Sequence, residues 1–294
     1  DDENVRWDVE GKLCVALAAG GAFEAALACA NAVPVTTDTL ASYKARTLHD
    51  IAPLVAAAGE LVRAEEALQS ITMGLTYYAA AARTDVAIYA HQQDASMLAQ
   101  RLLTEAEAIA RDQTDGYFIA GALRHVAVAR LALGQDSAAS DIFTAAVNAA
   151  RQGASPQHKA RAVSRVATSL ADYGRLAETA PLLDEALALA ATESRDTFRY
   201  WCLYEIAGSA AFAGFLDKAK ATLADIPSDL TFGGKSLAAA TQRDVAWGMA
   251  RHGNMVEAIA LAEAINSPRE RVQALSRIAR VAVDPAMKAL PRYL

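Results

Sequence analysis

Five histidines, three cysteines and one glycine-rich run are the residues here whose types could do chemistry. Their spacing argues against it. His49, His91, His125, His158 and His252 are scattered singly along 294 residues, and none falls in an H-E-x-x-H frame, which would set two imidazoles one helical turn apart on a metal. Cys14, Cys29 and Cys202 show no C-x-x-C spacing and stand at no zinc-ligand spacing from a histidine. Three cysteines are too few for a disulfide scaffold, so they read as buried structural thiols, with a Cys14–Cys29 bridge as the alternative. Gly233, Gly234, Lys235 and Ser236 end like a phosphate loop, but Ser228 and Asp229 stand where the earlier glycine belongs and no buried strand precedes them. That run reads as an interhelix turn. With no G-x-S-x-G elbow and no paired-carboxylate motif, the expectation is a non-enzymatic protein with no catalytic residues, metal or cofactor.

What remains is binding, and the composition says which elements must carry it. The chain is 53% hydrophobic, with alanine supplying much of that share and glycine, proline and aromatics sparse. Alanine has the best intrinsic helix propensity, so an all-α class is expected. A net charge of -6 argues against a nucleic-acid backbone as partner. The longest apolar runs, such as 51–59 and 79–82, fall far short of the roughly 20 residues that cross a bilayer. The chain begins at Asp1 with no methionine and no apolar leader, as a mature exported protein does, so a periplasmic or otherwise exported location is expected, with a cytoplasmic one as alternative.

A repeated phrase organises the whole length. Ile or Val followed by Ala, with Gly seven residues after the Ala, occurs at Ile51-Ala52, Val126-Ala127, Val166-Ala167, Ile206-Ala207 and Val245-Ala246. Leu13-Cys14 with Gly21 and Val86-Ala87 with Asp94 are degenerate copies, and successive copies lie 38, 35, 40, 40, 40 and 39 residues apart. Such a period means stacked units that cannot bury their apolar faces alone. Within a unit, Leu203, Ile206 and Ala207 fall on one face of a first helix. The glycine then ends that helix, and a second begins. Twelve residues after the key alanine a small residue usually stands (Ala26, Ala64, Ala99, Ala139, Ala219, Ala258), with Thr179 as the exception. Ser267, Pro268 and Glu270 form a helix start with a capping box. The helix they open, carrying Ile278-Ala279, reads as a terminal cap, and the tail from Pro285 to Leu294 as loosely packed or folded back.

The order small residue, turn glycine, alanine, bulky apolar, alanine or isoleucine resembles the tetratricopeptide family, with units near 39 residues in place of 34. The resemblance implies a single domain over 1–294, a right-handed α-solenoid of about seven antiparallel helix pairs with a C-terminal capping helix. It also implies a concave surface formed by first-helix residues six and three before the key alanine and one and four after it. Arg124, Arg161, Trp201, Tyr204, Arg243 and Trp247 occupy that surface and are the candidate binding residues, since aromatics bring buried area and arginine brings bidentate pairing with carboxylates. Ala56, Ala81, Ile88, Gly121, Val128 and Leu131 would make an apolar trough in the earlier repeats. The expected function is a scaffold that binds a partner protein or peptide in the groove. The alternative is a periplasmic lipid- or sterol-binding component of a transport system, with an apolar cavity enclosed by the solenoid. Neither reading calls for a transmembrane segment.

Overall fold

The repeat phrase folds as two helices joined by a tight turn. In a computed structural model that describes residues 2–71, 76–232 and 235–283, fifteen helices succeed one another. The first three pairs are α1 (Asp2–Ala19) with α2 (Phe23–Asn31), α3 (Asp38–Ala57) with α4 (Leu61–Gln69), and α5 (Thr76–Gln92) with α6 (Ser96–Arg111). Next come α7 (Gly116–Ala132) with α8 (Asp136–Ala150), and α9 (Pro156–Asp172) with α10 (Leu176–Ala191). Then follow α11 (Asp196–Phe212) with α12 (Leu216–Ala224), α13 (Leu237–Arg251) with α14 (Met255–Glu263), and the single helix α15 (Pro268–Val283). A two-residue hairpin, β1 (Thr231–Phe232) and β2 (Lys235–Ser236), precedes α13, with Thr231 opposite Ser236. Gly233 and Gly234 of the phosphate-loop-like run and the tail from Pro285 to Leu294 lie outside the described residues.

By packing, the chain forms two compact units, Asp1–Ala146 and Val147–Leu294, divided within α8. In the first, α1, α3, α5 and α7 lie one against the next, while α2, α4 and α6 each pack on the first helix before and after them. In the second, α9, α11, α13 and α15 repeat that order, with α10, α12 and α14 between them. Within each unit this is the packing of tetratricopeptide-like pairs in an all-α solenoid.

The key residues are the core. Ile51, Ala52, Val86, Ala87, Val126, Ala127, Val166, Ala167, Ile206, Ala207, Val245 and Ala246 are all fully buried. Each bulky member contributes about 1.5–3 kcal/mol by leaving water. The small member lets helices approach closely. The limit is reached at Gly248 in α13, where a Cβ would lie 2.6 Å from the Cβ of Ala211 in α11. Asp94, standing where the other copies have glycine, adopts the same left-handed conformation with φ 62. Thr179, the exception among the small residues, is fully buried and donates its hydroxyl to the Ala167 carbonyl at 3.3 Å and to that of Arg175 at 3.0 Å.

Two sequence expectations need correction. Cys14 and Cys29 are not separate thiols: they form a disulfide across α1 and α2, with Cα atoms 5.7 Å apart. The turn at Gly21 folds α2 back on α1, so residues fifteen apart face each other, a relation that tests for C-x-x-C spacing do not see. Cys202 remains a buried thiol. At α15, Ser267 does cap the helix, accepting from the Glu270 N–H at 3.5 Å, but the Glu270 carboxylate turns to the Arg243 guanidinium and does not close the capping box. A charged partner is the stronger one.

Candidate binding surface of the first helices

In the second unit the candidate residues meet in a network of charges. Glu205 of α11 lies almost fully buried between two arginines of α9. Arg161 donates from Nε and Nη2 to Glu205 Oε1 at 3.0 and 2.7 Å, and Arg165 donates from Nε to Oε2 at 3.1 Å and from Nη2 to Oε1 at 3.0 Å. The Trp201 indole, one turn before Glu205, donates to Oε1 at 3.3 Å and carries the Arg161 guanidinium 5.6 Å from its ring centre. Burial by itself would raise the Glu205 pKa. The charges and hydrogen bonds of Arg165 and Arg161 outweigh it and draw the carboxyl down to about 2. Burial, reinforced by the Glu205 charge, pushes the Cys202 thiol up to about 12.

One repeat on, the pattern recurs with Asp244. Tyr204 donates its hydroxyl to Asp244 Oδ2 at 3.1 Å, and its ring meets Trp201 edge-on at 5.9 Å. Arg243 bonds Asp244 Oδ1 at 2.8 Å and also reaches Glu270 of α15, while Arg277 of α15 bonds Asp244 Oδ1 at 3.1 Å. Burial works against the Arg243 charge, but its bond to Asp244 and the neighbouring charges hold it firmly protonated. Trp247 is buried, with the Arg277 guanidinium 4.5 Å over its ring and Phe212 edge-on at 4.7 Å. Five of the six candidates (Arg161, Trp201, Tyr204, Arg243 and Trp247) therefore belong to one chain of contacts across α9, α11, α13 and α15. Trp201 and Tyr204 keep partly exposed faces, and Arg161, Arg165 and Arg243 partly exposed edges.

Arg124, the sixth, lies in the first unit. It is buried in α7 and bonds His125 Nε2 at 2.7 Å, an atom that the Tyr77 hydroxyl also approaches at 3.0 Å. Nearby on α3, His49 bonds Asp50 through Nδ1 at 2.8 Å and sets Nε2 3.7 Å from Asp85 of α5. Burial raises the Asp85 carboxyl to about 6, against the pull of His49 and Arg124.

The acidic centres of both networks were missed in the sequence, although a signal was there. They stand two residues before the key alanine, in a row that reads Lys12, Asp50, Asp85, His125, Arg165, Glu205 and Asp244, and that Arg277 continues before Ala279 of α15. Every member is ionisable, and Asp85, His125, Arg165, Glu205, Asp244 and Arg277 each reach a side chain of a neighbouring first helix.

The apolar trough is largely consumed by packing. Ala56 and Ala81 are fully buried, and a Cβ on Gly121 would lie 3.0 Å from the Tyr77 ring. Ile88, Val128 and Leu131 are half-buried. A cleft of about 270 Å³ between α1 and α3 is lined by Gly11, Val15 and Thr47 as well as by the charged Asp8, Lys12, Arg46 and Asp50. Among the described residues no three His, Cys, Asp or Glu side chains are arranged to hold a metal, and no helix is long and apolar enough to cross a membrane.

Comparison with known proteins adds the fold alone. No family model and no curated protein matches the chain. Among solved structures, Ton1535 from Thermococcus onnurineus NA1 superposes with a TM-score of 0.51 at 16% identity, over 82% of this chain and 97% of that one. A kinesin light chain from Podospora anserina with nearly identical TPR-like repeats gives 0.39 at 17% identity, over 80% of this chain and 95% of that one.

Proposed function

We propose that this chain is a non-enzymatic helical-repeat scaffold, and that it binds an acidic segment of a partner protein along the first helices of its second unit. One observation carries the reading: Arg161 and Arg165 converge on a single buried carboxylate beside a half-exposed indole. Each guanidinium directs two N–H groups at Glu205. The side chains are thereby oriented before a partner arrives, and the rotamer entropy of fixing an arginine, about 2 kcal/mol, is not lost again on binding. Trp201 and Tyr204 add aromatic surface for the apolar residues of the same segment. The Cys14–Cys29 bridge favours an exported, oxidising setting for this binding, because such bridges persist poorly in a reducing cytosol.

Selection of a random peptide display library on the immobilised protein tests the proposal. The enriched peptides should be rich in Asp and Glu, should bind more weakly at high salt, and should lose affinity to Arg165→Ala, which leaves Glu205 paired with Arg161. Peptides without acidic residues, or binding indifferent to Arg165→Ala, would refute it. Native mass spectrometry of the purified protein bears on the carrier reading: an apolar molecule at near-stoichiometric occupancy would replace the scaffold with a lipid or sterol carrier.

A further inference from the structure

Two hydrogen-bond acceptors lie within reach of one donor on the first helices of the first unit. His49 of α3 bonds Asp50 Oδ1 through Nδ1 at 2.8 Å. A carboxylate can only accept, so the ring hydrogen sits on Nδ1, and the neutral imidazole presents a lone pair at Nε2. That nitrogen stands 3.7 Å from Asp85 Oδ2 of α5, too far for a hydrogen bond and close enough for a single donor group to serve both. Tyr78 packs on the same imidazole, with ring centres 5.7 Å apart, so the ring is held between Asp50 and Tyr78. The side chains of His49 and Asp85 are 23% and 25% exposed, so a ligand can reach them.

A third acceptor follows from the sequence. Pro53 lies inside α3 and has no N–H, so the carbonyl of His49, four residues before it, lacks its usual intrahelical donor. Pro53 itself and Ile88 of α5, one turn beyond His49 and Asp85, are half-buried and apolar. The charges around Asp85 are committed elsewhere. On α7, Arg124 attracts Asp85 through space but bonds His125, and on α3 Asp50 repels it. On α4 and α6, which also pack on α5, Glu65 pairs with Arg101 and Glu105 with Arg83 and Arg101. Among the described residues no side chain donates a hydrogen bond to the Asp85 carboxylate.

We infer that the first unit binds a primary alkylammonium group here, its N–H groups donated to Asp85 Oδ2, His49 Nε2 and the His49 carbonyl, and its alkyl chain laid along Pro53 and Ile88. An ammonium has three donors and no acceptor, which matches a site made of acceptors. Its positive charge also offsets the cost of ionising a carboxyl that burial raises to about 6. An anion would meet only acceptors, and a quaternary ammonium has no N–H to give. The site belongs to the first unit and does not depend on acidic-segment binding by the second.

Titration of butylammonium chloride into isotope-labelled protein, followed by amide NMR, tests it. At pH 7.5 the amides of 47–54 and 84–89 should shift and saturate. Because the ligand takes the ionised form of a group titrating at about 6, the apparent affinity should fall about tenfold at pH 5. Asp85→Asn removes the charged acceptor and should bind about tenfold or more weakly at pH 7.5, with the rest of the spectrum kept. Butan-1-ol, which has the chain without the charge, and tetramethylammonium, which has the charge without the N–H groups, should leave those amides in place. N-acetyl-lysinamide separates the sources of the ligand. Shifts from it as well as from butylammonium assign the site to a lysine side chain, and shifts from butylammonium alone to a free amine. No saturable shift from either ammonium, equal affinity in Asp85→Asn, undiminished binding at pH 5, or the same shifts with butan-1-ol or tetramethylammonium would overturn the inference.

Discussion

Arg165 and Glu205 face each other across α9 and α11, the arginine Nε 3.1 Å from Oε2 and Nη2 3.0 Å from Oε1, with Arg161 closing on the same carboxylate. Removing the shared anion leaves two guanidiniums in a poorly hydrated place. Glu205→Gln should therefore destabilise the second unit by about 3–5 kcal/mol, read from urea unfolding at neutral pH. The pH profile gives a second check. A carboxyl lowered from 4.5 to about 2 in the folded state contributes stability that is fully present above 4.5 and lost as pH falls towards 2. Wild type should weaken across that window by more than Glu205→Gln does.

Asp85 predicts the opposite sign. Burial raises it from 3.8 to about 6, so its contribution is fully favourable below 3.8 and is lost as pH rises through 6. Asp85→Asn mimics the protonated form. Because the carboxylate keeps some contact with water, the variant should gain about 1 to 2 kcal/mol over wild type at pH 8 and nothing at pH 4. A thermal melt at each pH decides it, and equal effects at both would contradict the assignment.

Asp94 holds a left-handed backbone that glycine adopts without a Cβ clash. Asp94→Gly should raise stability by about 0.5–1 kcal/mol, since the strain relieved exceeds the extra entropy of an unfolded glycine. A loss would mean that the aspartate side chain stabilises the turn by more than the strain costs.

The disulfide makes two claims that one alkylation experiment can separate. Without reductant, denatured protein should take up one label, at Cys202, and native protein none, because that thiol is buried and held protonated. Replacing Cys14 and Cys29 by serine should cost about 3 kcal/mol, the loop-closure value for a separation of 15 residues. Three labels on denatured, unreduced protein would mean that no bridge exists.

The repeat was legible because buried Ile-Ala and Val-Ala pairs and left-handed glycines are local demands of a helix pair, and they recur wherever the pair does. Cys14 with Cys29 and Glu205 with Arg161 and Arg165 were not, because each pair is made by folding one helix onto another. A surface position such as Arg161 looks available in sequence until its partner on the next helix is known. The ionisable row two residues before each key alanine could have named Glu205 and Asp244 in advance, had it been aligned with the concave positions. Arg124 shows the converse: the concave register places it with Arg161 and Arg243, yet it lies buried in the first unit and bonds its neighbour His125.

Hydrogen exchange of the backbone, measured with and without a saturating acidic peptide from the display selection, tests the central claim most directly. Binding along the first helices of the second unit predicts new protection in α9, α11 and α13, strongest around 161–165 and 201–205. Protection confined to α10, α12 and α14, or to the helices before α8, would contradict it.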